Sequence, residues 1–273
     1  MGVRTEMVLP VSVFLITKNE EVRLPRTLAA LGWADQIVVV DSGSSDRTVE
    51  IARAAGAEVH HRDWNGYGPQ KVFAEGLCRN DWVLNVDADE VVTNALADEI
   101  AALIATSPAP GGYRVRILNV YPGDTAPRPL ANDYNVVRFY HRKAGGYRDH
   151  PLFDRVELAA PEWQLAAPLH HFPLISLAHF VEKENAYSSF TAATARVRPR
   201  WQLLVRLPFE MPLQFLKFYL LRRHVTGGWK GFMFALTAAF ARTLRIAKML
   251  ERAEKPLADD MTADSQKNDG SAK

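Results

Sequence analysis

The stretch VLNVDADE, residues 83–90, decides the fold class predicted for this chain. Its first half is apolar and β-branched, which is typical of a buried strand, and its second half carries three carboxylates. A strand that ends there places Asp87 and Asp89 at the carboxyl edge of a sheet, where open α/β sheets bind ligands. No lysine or arginine adjoins these acids in the sequence, so we expect a bound cation to relieve their repulsion. Hard oxygen ligands at this spacing suit Mg2+ or Mn2+ chelated to a diphosphate.

Strands and helices are predicted to alternate on both sides of this stretch. Strands are expected at residues 11–16, 37–40, 57–61, 112–119 and 136–142, and helices at 24–31, 46–55 (with Asp46 as N-cap) and 69–78. Short strands that alternate with helices predict parallel β-α-β units. The polar residues that follow the strands should then share one edge of the sheet: Thr17, Glu20, Asp41, Gly43, Asp87 and Asp89.

Three motifs in this order resemble the inverting glycosyltransferases of family 2, which have the GT-A fold. They are ITKNEE at 16–21, VVDSGSSDRT at 39–48 and NVDADE at 85–90. A closer similarity, to the lipopolysaccharide core β-1,4-glucosyltransferase group, is carried by WADQIVVVDSGS at 33–44, DWNGYGPQK at 63–71 and GGWKGF at 227–232. The resemblance implies an α/β fold with a mostly parallel central sheet. It spans residues 10 to 250 and is strongest up to residue 100.

The resemblance also implies roles for individual residues around a UDP-sugar donor. The pyrimidine is expected against Thr17, Lys18 and Glu20, with Asp41 accepting a hydrogen bond from the base. Without the resemblance, Lys71 would be interpreted as an exposed helix lysine; with it, Lys71 is placed near the uracil or a phosphate. The complete nucleotide-binding set is Thr17, Lys18, Glu20, Asp41, Gly43, Lys71 and Asp87, and the metal ligands are Asp89 and His171. The imidazole ligand would favour Mn2+ slightly over Mg2+.

The predicted catalytic base is Asp154. Relatives usually carry His-Glu-Arg where this chain has Phe153-Asp154-Arg155, and the acid is taken to deprotonate the acceptor hydroxyl for in-line attack with inversion. Aspartate shortens the reach of the carboxylate by one methylene, and phenylalanine removes a polar neighbour. Asp149 and His150 remain alternative bases. A loop rich in Pro, Gly and Asp at 121–129 is suited to holding an acceptor, or is only a long connection.

Basic residues are concentrated in the last part of the chain. Residues 196–250 contain eleven Lys or Arg against one acid, Glu210, although the whole chain carries a formal net charge of only +2. Leu, Phe, Tyr and Trp are interleaved with these cations, and the longest uncharged run, 231–241, is much shorter than the roughly 20 residues of a spanning helix. The pattern predicts helices that lie in an anionic membrane interface. Helices that merely cover the sheet are the alternative, and nucleic-acid binding is disfavoured because no such module is present.

The predicted organisation has three parts. These are a glycosyltransferase domain at 1–195, a basic amphipathic membrane-associating region at 196–252 and a disordered tail at 253–273. Cys78 is the only cysteine, so no intrachain disulfide exists and a reducing compartment is favoured. The N-terminus lacks the pattern of a secretory signal. We therefore expect a cytoplasmic protein, peripheral on the inner face of the inner membrane.

Together these features predict an inverting, metal-dependent hexosyltransferase. It would move a sugar, glucose by the closer resemblance, from a UDP-sugar to a lipid-linked saccharide of the lipopolysaccharide core or a similar cell-envelope glycan. Two alternatives stay open at this stage. The first is a polyprenyl-phosphate transferase or another family 2 enzyme. The second is a sugar-nucleotide-binding membrane protein that has lost catalysis through the change at Phe153.

Overall fold

The computed structural model describes residues 8–131, 133–150, 154–196 and 198–254. Phe153 and residues 255–273 of the predicted tail therefore lie outside the described residues. Contacts divide the chain into two compact units, Met1–Ile175 and Ser176–Lys273. The elements of the first unit are β1 (Leu9–Thr17), α1 (Leu24–Ala29), β2 (Ala34–Asp41), α2 (Thr48–Ala54), β3 (Glu58–His61), α3 (Tyr67–Gly76), β4 (Trp82–Asn85), β5 (Glu90–Val92), α4 (Asn94–Ala105), β6 (Gly112–Asn119), β7 (Asp133–His141), β8 (Gly145–Tyr147), β9 (Val156–Leu158), β10 (Glu162–Gln164) and β11 (Leu169–His171).

Nine of the described strands form one mixed, mostly parallel sheet. Its order is β3-β2-β1-β4-β7-β6-β11-β5, and β10 also pairs with β6. The strands β3, β2, β1 and β4 run parallel, whereas β7 is antiparallel to both β4 and β6. The strands β8 and β9 form a separate antiparallel ribbon. The four parallel strands, with a helix after each of the first three, confirm the β-α-β units predicted from the sequence.

The sheet buries both of its faces, because successive side chains of a strand point to opposite sides. Val11, Val13 and Leu15 of β1 pack in one cluster together with residues of α1, α2 and α4. Phe14 points to the other face and packs with Ala74 of α3. Layers on both faces leave the loops at the carboxyl ends of the parallel strands as the accessible polar edge.

One helix start differs from the prediction. The sequence suggested Asp46 as the N-cap of α2, but Arg47 occupies the cap position and makes no side-chain cap hydrogen bond. Asp46 still accepts a hydrogen bond from the backbone N–H of Thr48, at 3.0 Å, and another from the N–H of Glu21, at 3.2 Å. Its carboxylate therefore ties the first-motif loop to the start of α2.

The second unit is helical. It contains α5 (Leu177–Thr194), α6 (Arg200–Leu216) and α7 (Gly228–Glu254), with a π-helical turn at Lys217–Leu221 and a 3-10 turn at His224–Gly227 between α6 and α7. The three-part organisation predicted from the sequence, with its boundary at 195/196, stays a prediction, and the division by contacts falls before α5. The reason is that α5 is bound to α7: Lys248 donates hydrogen bonds to Asn185 and Ser188. Within the described ranges, we find no helix with both the length and the apolar character needed to traverse a bilayer.

Candidate active site

The acidic motif lies at the polar edge of the sheet, directly after the buried strand β4. Its three carboxylates differ in exposure: the side chain of Asp87 is 34% exposed, that of Asp89 is 16% exposed, and that of Glu90 is fully buried. The backbone N–H of Asp87 donates to Glu90 Oε2 at 2.9 Å, which fixes the turn between β4 and β5. Only Asp87 and Asp89 are therefore accessible to a ligand.

Asp87 is held between two cations that come from distant parts of the sequence. Arg138 of β7 donates to Asp87 Oδ2 at 2.8 Å, and Lys71 of α3 lies 3.1 Å from Asp87 Oδ1. Burial alone would raise the pKa of Asp87, but the charges of Arg138 and Lys71 outweigh it and hold that pKa far below its ordinary value. Asp87 is consequently ionised and fixed in orientation.

Arg138 is the centre of this network, and sequence reasoning missed it. It is 5% exposed and donates to Asn85 Oδ1, Asp87 Oδ2 and Glu90 Oε1. Tyr147 of β8 donates to the same Asn85 oxygen at 2.7 Å. The available signal was a single arginine inside the apolar strand stretch VVRFY at 136–140. A buried charge in such a stretch needs acidic partners.

Asp89 faces a second group of residues. His171 of β11 places Nε2 at 3.3 Å from Asp89 Oδ2, and Arg23 places Nη1 at 3.1 Å from the same oxygen. The pairing of β11 with β5, in register His171 to Glu90, sets this approach. Arg23 also holds Glu20 through two hydrogen bonds, at 2.7 and 2.5 Å. Arg23 was another omission, although it stands only three residues after Glu20.

These contacts overturn one premise of the sequence analysis. We expected the acids to have no cationic neighbours, because none adjoins them in the sequence. The fold brings Lys71, Arg138 and Arg23 within 3.1 Å of Asp87 and Asp89. The carboxylates are therefore neutralised by protein cations, and their repulsion alone does not require a metal ion.

The ring of His171 fits a metal ligand for a different reason. Its Nδ1 lies 2.8 Å from Asn119 Oδ1, an acceptor, so Nδ1 carries a proton and Nε2 is the nitrogen directed at Asp89. Metal-binding histidines commonly donate their second ring N–H to such an oxygen. Burial works against the imidazolium, but Asp89 outweighs it and raises the pKa of His171. Imidazole nitrogen and carboxylate oxygen are donors that Mn2+ accepts.

A metal at this position would need further ligands from outside the protein. Among the described residues, no group of three or more His, Cys, Asp or Glu side chains is arranged to hold a metal ion. Asp89 and His171 could thus supply two donors, and a diphosphate and water would complete the shell. The donor set fits a metal chelated to substrate, and it does not fit a permanent structural metal.

The first and second sequence motifs are tied into one loop cluster beside the acidic motif. Asn19, which has a positive φ of 56°, donates its backbone N–H to Ser44 Oγ and accepts through Oδ1 from the N–H of Ser45, both at 2.8 Å. The hydroxyl of Thr17 is buried and has no hydrogen-bond partner in the described part of the chain. An unsatisfied buried hydroxyl costs free energy unless a ligand or water pairs with it. Lys18 is exposed on the same loop.

Asp41 orders the loop that follows β2. One of its oxygens, Oδ2, accepts from the backbone N–H groups of Gly43 and Ser44, both at 2.9 Å, and Oδ1 accepts from the Ser44 hydroxyl. Gly43 has φ +85°, a conformation that side chains rarely adopt. The backbone of Ser42 donates to Thr17 O at 3.0 Å, so the two predicted nucleotide-binding loops adjoin.

Helix α3 supplies two buried polar side chains to this edge. Gln70 donates to Ser42 Oγ and to Arg62 O, both at 2.8 Å, and its Oε1 has no hydrogen-bond partner among the described atoms. Lys71 is 1% exposed, so the interpretation as an exposed helix lysine is wrong. Burial opposes its charge, but Asp87, Tyr147 and Asp154 raise the pKa of Lys71 above its ordinary value. Gln70 lies in the stretch DWNGYGPQK at 63–71, from which only Lys71 was predicted to be a site residue.

Lys71 joins the acidic motif to the predicted base. Its Nζ lies 3.1 Å from Asp154 Oδ2 as well as 3.1 Å from Asp87 Oδ1. The Asp154 side chain is 47% exposed, so an acceptor can reach it. Asp149 is exposed and His150 half-buried on the loop that precedes the undescribed residues 151–153. The predicted base is thus linked to Asp87 through Lys71.

The loop of the alternative bases rests directly on α3. A Cβ on Gly68 would lie 2.3 Å from His150 O and 2.6 Å from Arg148 O, distances that no real side chain tolerates. Glycine at this position therefore allows the backbone of residues 148–150 to approach the helix. The same helix carries Lys71, so α3 sets the position of the lysine and of this loop together.

A cavity opens on the other side of Asp89. It has a volume of about 140 Å3 and is lined by residues of α1, β5, the loop after β6 and the segment after β11. Its charged lining residues are Arg23, Arg26, Asp89 and Asp124, and the guanidinium of Arg26 lies 4.4 Å from the centre of the Phe172 ring. The loop residues 121–124, which the sequence analysis associated with an acceptor, line this cavity.

Comparisons with known proteins identify the family to which this arrangement belongs. The family profile described as Glycosyl transferase family 2 matches residues 12–151, and a lipopolysaccharide core biosynthesis glycosyltransferase, LpsC of Rhizobium meliloti, is 32% identical over 89% of this chain and 93% of its own length. The chain belongs to glycosyl transferase family 2. An uncharacterized glycosyltransferase of Rickettsia bellii is 35% identical over 88% of this chain and 86% of its own length. The family and the observed sheet confirm the GT-A fold predicted from the sequence.

Solved structures show a weaker likeness. S. aureus TarS 1–349 in complex with UDP-GlcNAc is 18% identical over 89% of this chain and 84% of that chain, with a TM-score of 0.44. Glucosyl-3-phosphoglycerate synthase from Mycobacterium tuberculosis, in complex with Mn2+, UDP and glucosyl-3-phosphoglycerate, is 17% identical over 66% of this chain and 78% of that chain, with a TM-score of 0.38. Likeness at this level carries no argument about the ligands of this glycosyltransferase.

Proposed function

We propose that this glycosyltransferase moves a sugar, glucose in the first instance, from a UDP-sugar to a saccharide of the lipopolysaccharide core or a similar cell-envelope glycan, with inversion. The observation that carries the proposal is the bridge formed by Lys71 between Asp87 and Asp154 at the sheet edge. The bridge joins Asp87, the acid proposed to hold the donor, to Asp154, an accessible carboxylate. A direct displacement requires two such groups in one cluster. The similarity to LpsC supports a lipopolysaccharide core acceptor.

The nucleotide would occupy the loop cluster formed by the first two motifs. The unpartnered hydroxyl of Thr17 and amide oxygen of Gln70 are buried polar groups that a bound base or ribose can satisfy. Asp41 fixes the backbone of its loop, and Lys18 and Glu20 belong to the adjoining loop after β1. Asp87, held by Arg138 and Lys71, is proposed to accept hydrogen bonds from the ribose hydroxyls. Because Asp87 is ionised and immobile, it is preorganised for that contact.

Asp154 is the proposed base in a single displacement. The acceptor hydroxyl oxygen attacks the anomeric carbon while its proton passes to the Asp154 carboxylate, and the bond from that carbon to the diphosphate oxygen breaks. No covalent sugar-enzyme intermediate is needed. Lys71, which contacts Asp154, keeps the carboxylate directed into the cluster.

Asp89 and His171 are the residues that would hold a divalent metal, Mg2+ or Mn2+. Such an ion would supply Lewis-acid stabilisation of the charge that develops on the leaving diphosphate. Arg23 donates to the same Asp89 oxygen that His171 approaches and fixes the orientation of this carboxylate.

The helical unit is proposed to attach the enzyme peripherally to the inner face of the inner membrane. Its described helices expose many large apolar side chains together with the basic residues of 196–250. Examples are Leu221 at 79%, Trp229 at 71% and Trp201 at 65% exposure. Apolar and cationic side chains on one surface are what an anionic bilayer interface binds. An enzyme attached in this way meets a lipid-linked acceptor in two dimensions.

The decisive experiment combines a binding screen with a transfer assay. Purified protein is heated with UDP-, GDP- and dTDP-sugars, each with and without Mn2+ or Mg2+, and the unfolding temperature is measured. We expect a metal-dependent increase with a UDP-sugar, and transfer of that sugar to a core oligosaccharide. Transfer to a polyprenyl phosphate and none to the oligosaccharide would contradict the proposed acceptor. Donor binding without transfer or donor hydrolysis would contradict catalysis.

A further inference from the structure

The helical unit contains a cavity that the proposed reaction does not use. It has a volume of about 170 Å3 and is lined by α5, α7 and the π-helical turn with the residue that follows it. Three arginines, Arg222, Arg242 and Arg245, contribute to its wall. The remaining lining is aromatic, small or hydroxyl-bearing apart from one acid, Glu184. Arginines from two separate segments thus line one concave site.

Cationic side chains outnumber acidic ones among the described residues that line this cavity. Glu184 is the one acid of that described lining, and the charge of Arg242 acts on it. The Nε of Arg245 is buried without a hydrogen-bond partner in the described part of the chain. Burial lowers the pKa of Arg245, and its cationic neighbours Arg242 and Arg206 lower it further, against the opposing charge of Glu210. An arginine that is partly desolvated and surrounded by other arginines is stabilised by an anion.

Exposed apolar side chains stand next to one cavity arginine in the sequence. Leu220 and Leu221 directly precede Arg222 and are 52% and 79% exposed. Tyr187, a lining residue, is 57% exposed, so the cavity is open at an aromatic edge. On the inner side, the rings of Phe180 and Phe234 stack at 4.7 Å and form an apolar floor. The ligand that matches this setting has an anionic group and an apolar body.

We propose that this cavity binds the phosphate headgroup of an anionic membrane phospholipid, with the acyl chains lying against the exposed apolar side chains next to it. The inference rests on the peripheral membrane attachment proposed above, and it adds a specific headgroup site to that general surface attraction. Arginine suits the role because its planar fork donates paired hydrogen bonds to phosphate oxygens. A free phosphate would satisfy the arginines but would leave the adjoining leucines exposed to water.

The test uses the full chain and two double variants of equal charge. Arg242→Gln with Arg245→Gln removes the cavity arginines, whereas Arg196→Gln with Arg200→Gln removes two exposed arginines of the same unit outside the cavity. Binding is measured on phosphatidylcholine vesicles that contain phosphatidylglycerol, and on vesicles given the same surface charge by oleate. Circular dichroism and thermal unfolding establish that each variant is folded.

We expect the cavity variant to lose at least tenfold more affinity for phosphatidylglycerol vesicles than the control variant, and both to lose equally on oleate vesicles. Arg242→Lys with Arg245→Lys keeps the positive charge but removes the planar guanidinium groups. This variant should lose an amount of affinity for phosphatidylglycerol vesicles between those of the other two variants. Equal losses for the cavity and control variants on phosphatidylglycerol would overturn the proposal, since the arginines would then act only as surface charge. If the cavity variant does not fold, the lysine variant is tested in its place. An affinity of the lysine variant for phosphatidylglycerol vesicles equal to that of the wild type would then overturn the proposal.

Soluble ligands distinguish the two sources of phosphate. Short-chain dihexanoyl phosphatidylglycerol should raise the unfolding temperature of the wild type and not that of the cavity variant. Inorganic phosphate at matched ionic strength should have no such effect, and stabilisation by phosphate alone would overturn the lipid assignment. The transfer assay is read separately. Headgroup-selective binding without sugar transfer would contradict the proposed reaction alone, and transfer without headgroup selectivity would contradict this inference alone.

Discussion

The edge of the sheet and the helical unit handle charge in opposite ways. At the sheet edge, Asp87, Asp89 and Glu90 each contact a cation from another segment, so the charges are paired before any ligand arrives. In the helical unit, residues 196–250 carry eleven basic side chains against Glu210, which binds Arg206 at 2.6 Å. Paired charges give a rigid, preorganised site, whereas excess charge of one sign attracts a partner of the other sign.

The comparison predicts that the sheet edge is sensitive to single isosteric changes at accessible acids. Asp89→Asn should reduce turnover by about three orders of magnitude or more, because it removes a proposed metal donor and several kcal/mol of transition-state stabilisation. The fold should survive, since Asp89 lies at the site and not in the core. The measurement is kcat with and without Mn2+, with the exposed Asp98→Asn of α4 as control. Unchanged turnover or unchanged metal dependence would refute the role of Asp89.

The proposed base gives the next largest effect. Asp154→Asn should lower kcat by about two to four orders of magnitude, as expected for loss of a general base. The affinity for the donor should remain near that of the wild type, because the nucleotide does not depend on this carboxylate. The same assays on Asp149→Asn provide the comparison. Loss of activity in that variant, with Asp154→Asn active, would mean that the base was assigned to the wrong residue.

Stability should separate the two regions as well. Arg138→Met leaves the buried Glu90 without its cation, so we expect a loss of about 3 kcal/mol or more in the free energy of unfolding. Arg200→Met, at an exposed position of the helical unit, should change it by less than about 0.5 kcal/mol. Urea denaturation followed by circular dichroism measures both. Similar losses in the two variants would show that charge is not paired more tightly at the sheet edge.

Two glycines of α3 test how closely the sheet-edge site is packed. Gly68→Ala should destabilise the protein by about 1–3 kcal/mol, because the new Cβ would collide with the backbone of residues 148–150. Gly76→Ala meets nothing within 4 Å and should be neutral or stabilising by up to about 1 kcal/mol. Thermal unfolding of the matched pair measures the difference. If Gly68→Ala is as stable as Gly76→Ala, the loop is not held against the helix.

The smallest effect concerns the salt dependence of the helical unit. Wild-type binding to anionic vesicles should weaken as salt is raised, because each surface Lys or Arg contributes about 1 kcal/mol through a screened attraction. It should not fall to zero, since exposed side chains such as Trp201 and Trp229 add an apolar contribution. Sedimentation with vesicles at increasing salt measures this. If the protein does not bind anionic vesicles at low salt, the proposed membrane attachment is wrong.

The strand-helix alternation could be predicted from the sequence because it depends on the local spacing of apolar and polar residues. Residues 11–16, 37–40 and 83–86 are apolar runs followed by polar loops, and this pattern fixes the parallel strands and the edge that carries Thr17, Asp41, Asp87 and Asp89. The short strands β5, β10 and β11 were not predicted. Each has three residues and depends on pairing with a distant strand, so it leaves no periodic signal.

The sequence by itself determined the family, the fold class and most of the acids proposed to act. Only the tertiary structure decided which cation neutralises each acid. Arg138 lies 51 residues from Asp87, and Arg23 lies 66 residues from Asp89, so neither pair follows from local spacing. The buried position of Lys71 and the approach of His171 to Asp89 are likewise products of strand order and register. Local patterns specify elements, whereas charge pairing depends on which elements the sheet brings together.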